Sequence, residues 1–375
     1  MSRPHIQPSR RLRSVWGITP IINICHNAKA ERLLGIDSET LVFSEYFITK
    51  DFTRNFSRWC RWRWLKFLVP MLVFPWALSR YDIFHFYFDR GILPSWGWQG
   101  IRAVELAVLK FFRKKVFVYT FGADVRTKAR TESLGPYHCC MHCPAVGKAC
   151  VCQEKKSEKI LGRVRRDATG YFSMGDMTEY TPGSENGLFF WPIDVRQVPY
   201  IGVSASAVSH RPVRIVHSPN HRHYKGTDYL LKAVDRLKLE GLPVELVMVE
   251  RVSNEEALKM YAGADIVAEQ FIIGWHGFTA IEAMALGKPV ICYIRKSEYL
   301  LHPEECPIVS ADPDHLEQVL RDLIADAGKR KRLGAEGRRY VERYFSLEAF
   351  AGRLRRLYEK HGILKCREAE ETVCV

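Results

Sequence analysis

Glu282 is the residue whose setting first points to chemistry. It lies in the passage Ala264–Pro289, ADIVAEQFIIGWHGFTAIEAMALGKP, as a lone acid within Ala280-Ile-Glu-Ala-Met-Ala285. A carboxylate among apolar residues is usually kept for a partner, because burying it alone is costly. One turn inside a helix, it is able to accept two hydrogen bonds from vicinal hydroxyls such as those of a ribose. Gly274 and Gly277 precede it in a loop. Backbone N–H groups where a loop becomes a helix suit a phosphate. The alternative is an ordinary surface residue of a helix.

A second concentration of chemistry is His217–Thr227, HSPNHRHYKGT. Arg222 and Lys225 set two cations beside a helix that opens after Gly226, a setting that attracts an anionic group. Taken alone, the stretch reads equally as a solvated basic loop. Asp124, in Val116–Arg126 (VFVYTFGADVR), is a candidate to orient a hydroxyl or act as a base, or else a helix N-cap. His85 and Glu269, each at the end of an expected strand, complete the candidate catalytic set. A strand histidine is more often a hydrogen-bonded core residue.

Five of the 11 cysteines fall at Cys139, Cys140, Cys143, Cys150 and Cys152. Cys140, Cys143, Cys150 and Cys152 form a candidate four-thiolate site for a structural zinc, with His138 and His142 as alternative ligands. The other readings are a redox pair or free thiols in a loop. The remaining cysteines are scattered in apolar contexts, such as Cys292, which indicates a reducing compartment.

The Ala264–Pro289 passage resembles the donor-binding signature of GT-B glycosyltransferases, in particular glycosyltransferase family four. Glu282 matches the signature's second Glu, followed by Ala283-Met-Ala285 and Gly287-Lys-Pro-Val290 as in the family. That Glu holds the nucleotide ribose in the family, and a Lys-Gly like Lys225-Gly226 binds the diphosphate. The resemblance implies a donor-binding set of Arg222, Lys225, Gly226, His276, Gly277, Thr279 and Glu282. It implies a UDP- or GDP-linked sugar as donor, retention of configuration and no catalytic metal. Ser346–Lys360 resembles the family's closing helix, and Val116–Arg126 its strand ending in His-Gly-x-Asp. Several positions depart from the pattern. The first Glu is replaced by Gly274, the usual Phe by His276 and the acceptor-loop His by Phe121, and Glu269-Gln270 stands in place of Pro-Ser. The departures leave open a protein that binds a sugar nucleotide or glycan without transfer. An epimerase of the same fold is a further enzyme alternative.

These residues require a scaffold, and the second half supplies its grammar. Strands are expected at 214–219, 244–249, 264–268 and 288–294, and helices at 227–239, 254–260, 277–286, 317–323, 328–344 and 346–361. Alternating strands and helices mean a doubly wound parallel sheet. In the first half, strands are expected at 14–19, 40–47, 83–87, 116–121, 170–174 and 188–192. Helices are expected there at 27–34, 65–79, 101–112 and 152–164. The expected fold is α/β, GT-B, with two Rossmann-like domains facing across a cleft. An acceptor domain spans 1–205 with a Cys-rich insertion at 138–152, and a donor domain spans 206–375.

A chain of 375 residues, 47% apolar and 26% charged, supports two such cores and excludes a disordered or disulfide-scaffold class. The net charge of +14 is divided unevenly, +13 in residues 1–200 and +1 in 201–375. The basic half holds Arg58–Trp64 (RWCRWRW) and the apolar run Leu65–Leu78. That run is shorter than the ~20 residues a membrane-spanning helix needs. Interleaved Arg and Trp suit a lipid interface, so an anionic membrane surface is one expected partner of Arg58–Leu78. A buried, proline-kinked helix is the alternative. The acceptor is then a glycan or lipid-linked intermediate at the inner, cytoplasmic face. No signal peptide is read at the N-terminus. The basic residues are not arrayed as in a nucleic-acid motif, so nucleic acid is not an expected partner.

Overall fold

A computed structural model describes residues 11–46, 48–94, 100–148, 150–203 and 211–365. Strands β1 (Arg13–Ile18), β2 (Asp37–Val42), β3 (Arg54–Asn55), β4 (Ile83–Tyr87), β5 (Lys115–Tyr119) and β6 (Gly170–Phe172) form one parallel sheet in the order β3-β2-β1-β4-β5-β6. Strands β7 (Val213–His217), β8 (Val244–Met248), β9 (Ile266–Ala268), β10 (Val290–Cys292) and β11 (Val309–Ser310) form a second, in the order β11-β10-β9-β7-β8. Helices lie between most successive strands. The strand order reverses between β1 and β4 in the first sheet and between β7 and β9 in the second. Ligands of open α/β sheets bind beyond the strand ends at such points.

Several elements sit where the sequence places them and others shift for identifiable reasons. β2 starts at Asp37 rather than Thr40, because its polar residues are buried with partners. Ser38 donates to Glu31 (2.7 Å), and Glu39 takes the guanidinium groups of Arg54 and Arg80. The helix expected at 27–34 begins at Ile22, just after Pro20. The segment 188–192 is not a strand. Phe189 has φ +43°, and the carbonyls of Leu188 and Phe189 accept from the Arg353 guanidinium (2.7 and 3.1 Å). The boundary expected near 205 lies outside the described residues, as do residues 1–10.

The helix Leu65–Arg80 carries Pro70 and Pro75 and buries Val73, Phe74 and Ala77. Its other face, with Leu68, Met71 and Leu72, is exposed. Among the described residues no helix is long and apolar enough to cross a membrane.

The last helix, Leu347–Lys360, returns to the first sheet and packs on the helix Ile22–Arg32. Its Tyr358 hydroxyl donates to the buried Glu31 carboxylate, which also accepts from Ser14 (2.5 Å) and the Trp16 indole (2.6 Å). Burial alone would raise the Glu31 pKa, but His85, Ser14 and Tyr358 hold it down at about 2. His85 stacks on Trp16 (3.8 Å between ring centres) and bonds the Tyr119 and Tyr358 hydroxyls, both at 2.9 Å. Burial lowers the His85 pKa, Glu31 opposing, so the imidazole is neutral. The structure places the candidate catalytic residue His85 in the core, with both ring nitrogens occupied. Tyr358→Phe removes a hydrogen bond to a buried carboxylate and leaves His85 Nε2 without its partner. It is expected to lower stability by about 2 kcal/mol, read as a lower urea midpoint.

Candidate functional site

The loops leaving β7 and β9 meet at the switch point of the second sheet. His217 ends β7 fully buried, with Nδ1 bonded to the Ala268 carbonyl (2.7 Å) and Nε2 to the Thr227 hydroxyl (2.8 Å). It ties the end of β9 to the start of the helix Thr227–Leu239. Burial lowers its pKa to about 4, against the Ala268 bond. The chain reaches that helix through the short helix Arg222–Lys225 and Gly226, whose left-handed φ of 69° makes the turn. Lys225 Nζ is thereby brought to Glu269 and to Gln270 Oε1 (2.8 Å).

Glu269 is 1% exposed. Beyond Lys225 it accepts the Gly277 N–H (2.9 Å), the first amide at the start of the helix Phe278–Ala285. Its carboxylate thus fixes the lysine and the helix start relative to each other, and its oxygens are taken up in doing so.

A cleft of about 880 Å³ opens above these loops. The second half contributes Ser218–His223, Lys225, Thr279 and Glu282, and the first half Asn23, Tyr46 and Ile48. Glu282 sits one turn into its helix, 5% exposed, and accepts from Asn254 Nδ2 (2.5 Å). Burial raises its pKa to about 7, with Asn254 opposing. Arg222 lines the same cleft and pairs in bidentate fashion with Glu250 (2.8 and 2.7 Å). The structure brings Arg222, Lys225, Thr279 and Glu282 around one space.

His276 and Gly277 line an inner cavity of about 230 Å³ that shares Asn220, His221 and Lys225 with the cleft. Phe121, Arg126, Asp176, Trp191 and Trp275 close it. Arg126 Nη2 pairs with Asp176 Oδ2 at 2.7 Å. Asp176 Oδ1, Trp191 Nε1, Trp275 Nε1 and His276 Nε2 are buried with no hydrogen-bond partner among the described residues. Burial keeps His276 neutral. Sequence reasoning missed Asp176, Asn254 and the two tryptophans. Asn254 was readable only as a helix start, and Asp176 lies in a 3₁₀ turn with no pattern of its own. Gly175, beside it, approaches so closely that a Cβ there would collide with the Trp275 ring.

Asp124 does not line the cleft or the inner cavity. Its Oδ1 accepts the N–H groups of Phe121 (3.0 Å) and Gly122 (2.9 Å), and burial together with Asp89 raises its pKa to about 8. It shapes the loop after β5 as a largely protonated acid, in place of the catalytic role considered for it. Gly274 has φ +95° with the Arg295 side chain packed against it, so an acidic side chain has no ready place there.

The five clustered cysteines line a small cavity with Arg126 and Tyr224. They do not form the expected tetrahedral clip, for among the described residues no three His, Cys, Asp or Glu side chains converge as metal ligands. Cys150 bonds the Tyr224 hydroxyl, and Cys152 accepts the Gly147 N–H (3.1 Å). The expectation of zinc at Cys140, Cys143, Cys150 and Cys152 is not supported.

No family model matches the chain. A stretch of 165 residues is 28% identical to the MMP α-(1→4)-mannosyltransferase of Mycolicibacterium hassiacum, covering 36% of this chain and 40% of that protein. The chain thus aligns with less than half the length of that curated relative. Its fold is similar to that of Anabaena HepE solved with UDP-glucose, with TM-score 0.57, 12% identity and 93% and 99% of the two chains covered. It is also similar to sucrose-phosphate synthase of Thermosynechococcus elongatus (TM-score 0.58, 14% identity, 94% and 99% covered). A glycosyltransferase of Rickettsia africae gives TM-score 0.57 at 11% identity, with 94% and 99% covered. The architecture is GT-B, as the resemblance implied.

Removing Glu269 would leave the Gly277 amide without its partner and the half-buried Lys225 ammonium with Gln270 Oε1 alone. Glu269→Ala is expected to cost about 3–5 kcal/mol of stability, measured by urea denaturation, with part of the loss recovered in Glu269→Ala/Lys225→Met.

Proposed function

We propose that this chain is a glycosyltransferase that moves a sugar from a nucleoside diphosphate to a glycan or lipid-linked acceptor. The observation that carries the reading is the continuity of two spaces. The outer cleft has a ribose-type carboxylate and two cations, and the inner cavity is lined by four buried polar atoms without partners. The nucleotide occupies the cleft, with its ribose on Glu282 and its diphosphate on Lys225, Arg222 and the amides near Gly277. The sugar enters the inner cavity, where Asp176, His276, Trp191 and Trp275 meet its hydroxyls. Mycolicibacterium mannosyltransferase and UDP-glucose-bound HepE support this class of donor.

An acceptor oxygen forms a bond to the anomeric carbon as the bond from that carbon to the diphosphate oxygen breaks. The nucleoside diphosphate leaves with the electron pair, and the acceptor proton passes to solvent or to a base. Lys225 and Arg222 offset the charge that develops on the leaving group, with no step assigned to a metal. Retention of configuration rests on the resemblance around Glu282. The second reading, binding without transfer, is favoured by Gly274, where the family's acid is absent and Arg295 stands instead. The cytoplasmic side is the expected location, since nucleotide sugars are the donors.

Thermal stabilisation by a panel of UDP and GDP sugars tests donor binding, followed by nucleotide release with the best ligand. Stabilisation by none of them sinks the proposal, and stabilisation without release in the presence of acceptor extracts selects the second reading. Glu282→Ala is expected to weaken nucleotide binding about 100-fold, about 3 kcal/mol. Ribose hydroxyls favour the ionised carboxylate, so the complex holds fewer protons than the free protein below pH 7. Affinity therefore rises with pH up to about 7 and levels off above it. Isothermal titration across that range is expected to give a flatter profile for Glu282→Gln.

A further inference from the structure

A second pocket, of about 860 Å³, lies beside the donor cleft and has no part in the chemistry above. It opens beyond the carboxyl ends of β2 and β4, the edge at which such sheets take ligands. Arg58, Arg61, Lys66 and Arg90 line it, against the single carboxylate of Glu45. Glu45 accepts from Asn55 (2.6 Å), and Arg90 pairs with Asp89 (2.7 Å). Among the described residues, the side chains of Arg58, Arg61 and Lys66 make no hydrogen bond or ion pair. Three cations that make no ion pair, facing one carboxylate, leave a net positive field that attracts a multiply charged anion.

The residues interleaved with these cations in the chain are apolar and exposed. Trp59, Trp62 and Trp64 are 63%, 67% and 64% exposed, and Leu72 is 63% exposed on the adjoining helix face. Large exposed apolar patches on soluble domains mark interaction sites. Tryptophan interleaved with arginine matches the water–lipid boundary. The loop after β2 links the pocket to the reaction space, with Ser44 and Glu45 on the pocket and Tyr46 and Ile48 on the donor cleft.

We propose that this pocket binds the terminal phosphate or diphosphate of a membrane-anchored lipid acceptor, while the exposed tryptophans and Leu72 rest in the bilayer surface. The inference rests on the glycosyltransferase reading for the word acceptor, and its test does not. Three unpaired cations fit a terminal phosphate, which carries up to two charges, better than the single charge of a phosphodiester headgroup. The shared wall sets the sugar-receiving end of the lipid phosphate next to the donor.

The test is sedimentation of the full chain with phosphatidylcholine vesicles containing undecaprenyl phosphate, compared with phosphatidylglycerol vesicles of matched surface charge. The undecaprenyl phosphate vesicles are expected to bind about tenfold more tightly. Arg58→Ala/Arg61→Ala/Lys66→Ala is expected to lose about 100-fold at ~1 kcal/mol per cation, and Lys66→Ala alone about fivefold. Trp62→Ala/Leu72→Ala is expected to weaken binding to both vesicle types, and inorganic pyrophosphate to compete only weakly. Equal binding to the two anionic vesicles, unchanged binding by the cation variants, or pyrophosphate binding as tight as the vesicles would each overturn the proposal. Stabilisation by UDP and GDP, measured in parallel, shows that the variants are folded. Its absence in the unaltered protein removes the donor reading while leaving the lipid result to stand or fall by itself.

Discussion

Glu269 carries a charge into an interior that cannot solvate it, so the ends of other elements must answer its oxygens. The main answers are the Lys225 ammonium and the Gly277 amide, with the Cys292 thiol at 3.3 Å beside them. Each belongs to a different loop of the cleft, one leaving β7 and the other leading to the helix of Glu282. Satisfying one carboxylate therefore fixes Lys225 relative to the helix that carries Glu282. The same constraint explains why Glu269-Gln270 stands at this strand end, for Gln270 supplies Lys225 with its second acceptor.

The two halves are held by comparable means. Glu31 gathers Ser14, Trp16, Ser38 and Tyr358, and Tyr358 comes from the last helix of the chain. The Asn254 amide meets the Ile48 carbonyl (3.3 Å) at the cleft, and Gly175 lies against Trp275 at the inner cavity. A space composed of both halves depends on these contacts, because shape and polar partners at the inner cavity come from opposite sides.

Charge follows the same division of labour. The nearly neutral second half needs only Arg222 and Lys225 where a diphosphate would lie, and both are checked by Glu250 and Glu269. The basic half keeps Arg58, Arg61 and Lys66 unpaired beside exposed aromatic residues. Cations matched by carboxylates hold a loop in place, and cations left without them hold potential for a ligand.

The sequence by itself determined the alternation of strands and helices, through local periods of apolar residues. The GT-B class and the grouping of Arg222, Lys225, Thr279 and Glu282 were legible only as what the family resemblance of the Glu282 passage implied. The sequence offered His85, Asp124 and the cysteines as sites because their residue types carry chemistry in many settings. Only the tertiary structure decided that His85 is enclosed by Trp16, Tyr119 and Tyr358, and that Asp124 turns back to its own loop amides. It alone brought Asp176 and Trp191 to His276 across more than 80 residues of chain. Burial and hydrogen-bond partners are set by what packs from distant segments, and no spacing within one segment encodes them.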